Sequence, residues 1–529
     1  MTRTPTTAQP TQATRPARPA RSARPARPAR RLLRAAGALG AAAALALTAA
    51  PAAQADPTHA IARTERVSVG LNHAQPDGAS HSAGLSADGR YAVFTSAAGN
   101  LVPGDTNGKT DVFVRDLWTG RTERVDTGPG GAQADGDSYE ATISGNGRYV
   151  AFGSWATDLA PGANRGLQDV YVHDRWTGET RLVSTGEKPG KPQSDRSSGT
   201  PSISWDGRYV AFQSNRTDLA PDTVTWFGGN IYVHDLWTGK NRLVSLGADG
   251  KEANNSSTSP AISADGGSVA FISKATNLTD PDQPGALPRS AAAQLAATAG
   301  QETDEQFTLD ARNPRDPRDA RDARGAQDSR DALPSTSTDQ PQILKPRLYP
   351  LYVRNLRSDR TVLASPDEQG GYRGASSPSL SWDGRSVVYS GLVQHGSNWG
   401  DRHFEVYVRD LARGTETLAS VGLPGTTTTE SSSAGRLTVD GRWVYFDSAA
   451  QNLVPDSPKG GAYVFRRDLW TGRTERISLT DDDSPNTASA YAPYIDAFGT
   501  AVLFTRDDAP APGDTTALPN VFLRRLPLF

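Results

Sequence analysis

Residues 100–111 contain oxygen-bearing side chains at the spacing of a calcium loop. Asp105, Asn107 and Asp111 occupy positions one, three and seven, and Gly108 allows a sharp turn between them. Oxygen ligands at these offsets can converge on one hard cation. No bidentate acid is available at position twelve, and Asx and Pro-Gly turn chemistry explains the same residues without a metal. We therefore expect no cofactor other than, at most, calcium.

A second set of candidate residues recurs just before the first strand of each unit in a sequence repeat. Most residues at these positions are small or hydroxylated. The projecting side chains are those of His81, Tyr139, Glu140, Tyr491 and Tyr494. If the first strands surround one axis, these groups form the mouth of a polar funnel for a small polar ligand or a peptide end. The alternative is that converging strands need small residues there.

Two long loops contribute aromatic and histidine side chains. Aromatic rings on a rim suit sugar rings or peptide side chains, whereas packing between the loops is the simpler explanation. The residues concerned are Trp226, Phe227, His395, Trp399 and His403.

Catalytic motifs are absent from the sequence. There is no Gly-x-Ser-x-Gly elbow, no His-Glu-x-x-His and no glycine-rich phosphate loop after a strand. The absence of cysteine excludes disulfides, thiolate metal ligands and a cysteine nucleophile. We expect a non-enzymatic binding module. The alternative is a secreted polysaccharide lyase or glycosidase that uses Glu140 with His395 or His403.

The elements that must position these residues are read from a repeat of about seven units. Residues 201–246 show the pattern of one unit: four short runs of alternating polar and apolar residues, separated by turns. The first turn is Asp206-Gly207, which is typical of a hairpin. The equivalent turns lie 57 to 60 residues apart except for one interval of 118. Their positions are Asp88, Asn146, Asp206, Asp265, Asp383, Asp440 and Ala497.

The two ends of the repeat predict how it closes. The chain enters the repeat with a lone fourth strand near Arg63 and ends with a unit that has only its first three strands, so the two ends together complete one unit of four. Closure in this way removes the exposed sheet edge that an open stack would have. We therefore predict an all-β fold over residues 62–528, a seven-bladed β-propeller with four antiparallel strands per blade. Six or eight blades are the alternatives.

The repeat also resembles a known family. Ser-x-Asp-Gly-Arg-x-Val-x-Phe followed by Val-Tyr-Val-x-Asp-Leu-x-Thr-Gly looks like the WD40-like PD40 repeat of the TolB family of exported propellers. The likeness extends from about Arg63 to Leu528. It implies the propeller fold, but not one function, because such repeats occur in TolB, in peptidase propeller domains and in some polysaccharide lyases.

The interval of 118 residues, about twice the others, predicts an insertion in unit four, at about residues 281–346. Residues 310–331 contain six Asp and six Arg with interspersed prolines. We expect this segment to be a disordered loop between the second and third strands of the blade.

The first 55 residues have the composition of an export signal. Arg30-Arg31 precedes an Ala/Leu run, and Ala-Gln-Ala ends it at Ala55. The paired arginines favour a twin-arginine signal and leave the general secretory pathway open. We expect cleavage after Ala55, no stable membrane insertion afterwards, and a protein that is secreted or held in the cell envelope.

Charge and loop length indicate the kind of partner and where it binds. Nine of the 56 Lys and Arg lie in the first 55 residues, which contain no acid, so the rest has 47 bases against 58 acids. This acidic balance argues against nucleic acid. The second-to-third and blade-to-blade loops differ in every unit and lie on one face, where we expect the site. The predicted partner of this monomer is an extracellular or envelope protein, a peptide or a glycan.

Overall fold

The computed structural model describes residues 63–163, 167–186, 197–221, 229–299, 348–394, 402–455, 457–507 and 518–527. Over these ranges the chain forms seven antiparallel sheets of four strands each. The predicted seven-bladed β-propeller is therefore confirmed. The expected signal segment, residues 1–55, lies outside the described residues.

Six of the seven blades are formed by four strands that follow one another along the chain. Blades 1 to 3 consist of β2 (Ser80–Leu85), β3 (Tyr91–Ser96), β4 (Asp111–Asp116) and β5 (Thr122–Arg124); β6 (Ser138–Ile143), β7 (Tyr149–Ser154), β8 (Asp169–Asp174) and β9 (Glu179–Leu182); and β10 (Ser198–Ile203), β11 (Tyr209–Ser214), β12 (Asn230–Asp235) and β13 (Lys240–Leu243). Blades 4 to 6 consist of β14 (Ser257–Ile262), β15 (Ser268–Ser273), β16 (Leu351–Asn355) and β17 (Arg360–Leu363); β18 (Ala375–Leu380), β19 (Ser386–Gln394), β20 (Arg402–Asp410) and β21 (Thr415–Leu418); and β22 (Ser432–Leu437), β23 (Trp443–Ser448), β24 (Tyr463–Asp468) and β25 (Thr474–Arg476). Two short 3₁₀ turns, Leu71–His73 and Pro129–Gly131, precede blades 1 and 2.

Blade 7 joins the two ends of the described chain. It consists of β26 (Ala490–Ile495), β27 (Ala501–Asp507), β28 (Pro519–Arg525) and, as its outer strand, β1 (Arg63–Arg66). β1 runs antiparallel to β28, with Thr64 opposite Arg524. The ring is therefore closed by the N-terminal strand, as the sequence predicts.

Each blade is packed around one pair of aromatic rings on its second and third strands. The two rings face each other across the strand pair with centroids 5.6 to 6.3 Å apart. Such stacked pairs stabilise a sheet beyond the area that they bury. The pairs are Phe94–Phe113, Phe152–Tyr171, Phe212–Tyr232, Phe271–Tyr352, Tyr389–Tyr407, Phe446–Phe465 and Phe504–Phe522.

The two ends of the ring differ in their connections. We call the end formed by the first-to-second and third-to-fourth turns the turn face, and the opposite end, with the second-to-third and blade-to-blade loops, the loop face. On the turn face, Asp206 accepts hydrogen bonds from the Ser204 hydroxyl (2.7 Å) and the Arg208 N–H (2.9 Å). Gly207 has a φ of 79°, which the tight turn requires. Equivalent turns therefore have nearly the same shape.

The insertion in blade 4 corrects one expectation. Residues 281–299 were predicted to be disordered, but they include a helix, α1 (Arg289–Ala299). Ala291 and Leu295, one turn apart, are buried in the blade 4 core together with Leu287. Alanine favours a helix, and this small apolar stripe gives it a face to bury. Residues 300–346 lie outside the described ranges. No helix within the described ranges is long and apolar enough to cross a membrane.

Candidate functional site

The first strand of each blade is its inner strand, and close to the loop face most inner strands contain a residue with a strained backbone conformation. In six of the seven inner strands the third residue has a positive φ, between 49° and 57°, and the pairing with the second strand shifts there. A bulge of this kind turns the backbone toward the axis at a conformational cost. The residues are Glu140, Thr200, Ser259, Ser377, Ala434 and Ala492.

Side chains from neighbouring blades hold several of these bulges. Glu140 Oε2 accepts the N–H of Thr200 in the next blade (2.6 Å), and Gln168 Nε2 lies 3.3 Å from the same oxygen. Asp447 Oδ2 accepts the N–H of Ala492 (2.9 Å). Glu140, the predicted funnel acid, therefore has a structural role at the junction of blades 2 and 3.

The other predicted funnel residues lie on the inner strands and are half-buried. The Tyr139 hydroxyl donates to Thr110 Oγ1 (3.2 Å), and the Tyr491 hydroxyl donates to Asp507 Oδ1 (3.3 Å). The Tyr494 ring lies 4.8 Å from the guanidinium of Arg436. His81 lies on β2, opposite Thr95 of β3. The structure thus places these residues at the inner edge of blades 1, 2 and 7.

The predicted rim residues fall into two groups. Trp226, Phe227, His395 and Trp399 lie outside the described residues. His403 is described, and its position corrects the prediction of an exposed rim residue. Because β20 begins at Arg402, three residues earlier than the repeat predicts, His403 lies within the sheet. Its side chain is 4% exposed, and Nε2 lies 3.3 Å from Glu405 Oε1.

The predicted calcium loop brings its acidic residues together around an arginine. Arg124 Nη1 lies 3.1 Å from Asp105 Oδ1 and 3.5 Å from Asp111 Oδ2. The Asn107 amide donates to Asp111 Oδ1 (2.9 Å). Burial and the Asp111 carboxylate raise the pKa of Asp105. The guanidinium thus lies where the cation was expected, and within the described ranges no three acidic or histidine residues are arranged to hold a metal.

Blade 1 contains a second buried acid beside this loop. Asp126 is fully buried, and its Oδ1 accepts the N–H of Val112 (3.1 Å). Burial and the neighbouring Asp111 carboxylate raise the pKa of Asp126 well above its usual value. The other six blades use a serine hydroxyl for this hydrogen bond, from Ser68, Ser184, Ser245, Ser365, Ser420 and Ser478.

Among the described residues, the most exposed aromatic side chains lie on the turn face. Four tryptophans at equivalent third-to-fourth turns, in blades 1, 2, 3 and 6, are 67 to 73% exposed. A guanidinium from the same blade lies over each indole, with Cζ 4.2 to 5.1 Å from the ring centroid. The pairs are Trp118–Arg90, Trp176–Arg148, Trp237–Arg208 and Trp470–Arg442.

A carboxylate fixes each arginine in this position. In blade 1, Arg90 donates from Nε and Nη2 to the two oxygens of Asp116 (3.2 and 2.7 Å), and the Trp118 N–H donates to Oδ1 (3.0 Å). These bonds, above all the one from Arg90, lower the pKa of Asp116 to about 2. Asp174 and Asp235 hold their arginines in the same way, and Asp468 accepts both bonds from Arg442 on Oδ2. We call each such group a Trp-Arg-Asp unit.

Blade 5 shows what happens without the tryptophan. Its turn has Ala412 in place of Trp118, and Asp410 pairs with Arg413 (2.8 Å). Arg385, the equivalent of Arg90, is 79% exposed, whereas the arginines of the four units are 28 to 30% exposed. The tryptophan and the ordered arginine therefore occur together.

Two further tryptophans lie near the axis of the turn face. The first-to-second turns are linked by backbone hydrogen bonds between blades, such as Trp205 N–H to Ala264 O (2.9 Å). The rings of Trp205 and Trp382, from blades 3 and 5, lie 5.4 Å apart. A Cβ on Gly145 would lie 1.8 Å from the Trp205 ring, so the glycine leaves room for this indole.

A pocket of about 350 Å³ opens between blades 3 and 4 on the turn face. Its walls include Asp235 and Thr238, from the turn that also contains Trp237. Asn241, Arg242 and Asp265 add further donors and acceptors. The third consecutive Trp-Arg-Asp unit is therefore adjacent to a polar concavity.

Residue spacing alone does not identify these four tryptophans as site residues. A signal was present, because a large apolar residue in a tight turn between two strands has no core to enter. What the sequence could not show is the guanidinium over each ring.

Comparisons with known proteins find similarity in fold only. No protein-family model matches the sequence, and no curated protein matches it. The PD40 assignment therefore remains a prediction.

Several solved structures share the propeller. The propeller domain of the Trilobed protease from Pyrococcus furiosus is 10% identical, with 85% of this chain and 94% of that chain covered and a TM-score of 0.42. TolB from Acinetobacter baumannii is 12% identical, with 83% and 81% covered and a TM-score of 0.33. An acylaminoacyl peptidase from Pyrococcus horikoshii is 11% identical, with 85% and 52% covered and a TM-score of 0.42. The chain thus spans about half of that peptidase.

Proposed function

We propose that this protein is a non-enzymatic binding protein that acts outside the cytoplasm and holds its ligand on one face of the propeller. The observation that supports this proposal is the exposure of four tryptophans at equivalent positions of the turn face. Water-exposed indoles grouped on one face of a rigid scaffold are typical of interaction surfaces.

The state of the acidic residues on the loop face favours binding over catalysis. Glu140 accepts a backbone N–H at 2.6 Å, and Asp447 accepts another at 2.9 Å. A carboxylate that already satisfies buried N–H groups is poorly suited to exchange protons with a substrate, because its protonation would leave those groups without an acceptor.

Binding without turnover is tested with one protein sample. Melting temperatures of the full-length chain are measured against soluble polysaccharides, cell-wall peptides and anionic vesicles, and each mixture is assayed for new reducing ends and unsaturated products. We expect at least one ligand to raise the melting temperature by mass action, with no product formed. Product formation that depends on Glu140 would replace this proposal with an enzymatic one.

The export part of the proposal has its own test. We expect the protein produced in its natural host to be recovered outside the cytoplasm with Asp56 as its first residue. An intact N-terminus in the cytoplasm would contradict export and leave the binding proposal in place.

A further inference from the structure

Three of the four Trp-Arg-Asp units are adjacent on the ring. Trp118, Trp176 and Trp237 belong to blades 1, 2 and 3, and we call this group the tryptophan arc. Trp470 belongs to blade 6, separated from the arc by other blades on both sides. The arc therefore presents one chemical unit three times in succession, which matches a ligand that itself repeats.

Each unit of the arc combines an apolar surface with free hydrogen-bond donors. Arg90 lies over one side of the Trp118 ring, and about two thirds of the tryptophan surface is exposed. Among the described residues, neither the Trp118 indole N–H nor Arg90 Nη1 has a hydrogen-bond partner. The same holds for the units of Trp176 and Trp237. A sugar ring has a C–H face and a rim of hydroxyl acceptors, so it complements this arrangement.

The charges of the turn face favour a neutral ligand. The arginines of the arc are each paired with an aspartate at 2.6 to 2.8 Å. The turns of this face contain acids and bases in nearly equal numbers. A surface for anionic lipid or nucleic acid needs an excess of positive charge, which is absent here.

The pocket between blades 3 and 4 gives the arc an end. Its volume of about 350 Å³ is at the lower limit for small-molecule sites, enough for one sugar ring. Asp235 and Thr238 belong to the same turn as Trp237, so a chain stacked on Trp237 can continue into the pocket. Arg242 and Asp265 line it as well, paired with Asp359 and Arg357, so the pocket wall is polar and close to neutral.

We propose that the tryptophan arc binds a neutral polysaccharide, whose sugar rings stack on Trp118, Trp176 and Trp237 and whose chain ends in the pocket between blades 3 and 4. This inference rests on the proposed binding function and names its surface and ligand class. Because three linked sites raise the effective concentration of the next sugar ring, a long oligosaccharide binds more tightly than a short one.

The test is calorimetric titration of the full-length chain with neutral hexaoses and the matching disaccharides: cello-, xylo-, laminari- and chito-oligosaccharides. Polygalacturonate and alginate serve as acidic polymers. We expect at least one neutral hexaose to bind at least about tenfold more tightly than its disaccharide. Trp176→Ala, in the middle of the arc, should weaken that affinity by about tenfold or more.

Trp470→Ala is the matched control, because it removes the same indole from the same kind of unit outside the arc. We expect it to change the affinity less than about twofold. Equal losses in Trp470→Ala and Trp176→Ala would contradict a continuous arc. The arc is also contradicted by tighter binding of the acidic polymers than of every neutral glycan, or by the absence of carbohydrate binding.

Two further arms separate this inference from the binding function itself. A ligand that Trp176→Ala still binds and Glu140→Gln no longer binds would show that the binding site is on the loop face. That result would contradict the tryptophan arc and support the proposed binding function. Binding to phosphatidylcholine/phosphatidylglycerol vesicles, or self-association in sedimentation velocity, that is lost in Trp176→Ala would replace the glycan with a membrane or a second copy. Failure of every ligand on both faces would overturn both proposals.

Discussion

Within the described residues, the two faces of the propeller differ in how they place acidic and tryptophan side chains. On the loop face, where the loops are long and different, Glu140, Asp447 and Asp126 are directed inward and accept backbone N–H groups. On the turn face, where the turns are short and nearly identical, Trp118 and its equivalents extend into water. Variable loops here contribute to the structure, and uniform turns offer the exposed surface.

The same comparison holds for electrostatics. Burial raises the pKa of Asp126 on the loop face, whereas the hydrogen bond from Arg90 lowers the pKa of Asp116 on the turn face. A long loop can fold over a carboxylate and remove it from water. Asp116 lies in a tight turn, near solvent and beside an arginine. Stability is therefore expected to depend on pH with opposite signs at Asp126 and Asp116.

The largest effect is expected on the loop face, for Asp447→Ala. The change removes the acceptor of the buried Ala492 N–H and of the Ser433 hydroxyl. A buried N–H and a half-buried hydroxyl left without this acceptor cost roughly 1–3 kcal/mol in the free energy of unfolding. Urea denaturation measures this loss.

Ser433→Ala is the control for Asp447→Ala, because it deletes one donor and keeps the acceptor of the strained bulge. It should cost only about 0.5–1.5 kcal/mol. An Asp447→Ala variant as stable as the wild type would show that the bulges need no acceptor from the neighbouring blade.

The sequence predicted the ring far better than the surface that we propose for binding. Seven equivalent turns in register, five of them Asp-Gly, and a lone fourth strand at Arg63 determine the blades and their closure, because every unit makes the same local pairing. The role of Glu140 depends on Thr200, 60 residues away in another blade. The position of Arg124 between Asp105 and Asp111 depends likewise on two strands meeting. The spacing of residues along the chain does not show that Glu140 contacts Thr200 or that Arg124 lies between the two aspartates.

The next effect is a gain in stability from Asp126→Ser on the loop face. Serine supplies the same hydrogen bond in the other six blades, as Ser184 does for Val170 (3.0 Å). The replacement removes a buried carboxyl beside Asp111, so we expect a gain of roughly 1–2 kcal/mol at neutral pH. Because the folded-state pKa of Asp126 is raised, the gain should develop as the pH rises above about 4 and should be absent near pH 3. Urea titrations at several pH values measure it, and a gain that persists at pH 3 would have another cause.

A smaller effect of the opposite sign is expected for Asp116→Asn on the turn face. The folded-state pKa of Asp116 is about 2, below the usual value, so the stability from its pair with Arg90 is present above about pH 4 and is lost as the pH falls toward 2. The variant should be less stable than the wild type at pH 6, and the difference should shrink toward pH 2. Melting curves across this range test the sign. A difference that does not change with pH would mean that the ion pair adds nothing in water.

The smallest effect on folding is expected for Trp118→Ala, the change that most directly tests the contrast between the faces. The indole is 67% exposed, and its contact with Arg90 is an exposed cation–π pair, which contributes about 0.5–1 kcal/mol. If Trp118 mainly serves a ligand, the unliganded protein should lose no more than that. A loss above about 2 kcal/mol, with Arg90 as exposed as Arg385 in a crystal structure of the variant, would instead mean that the tryptophan holds the fold together. The turn face would then resemble the loop face, because its side chains too would serve the fold.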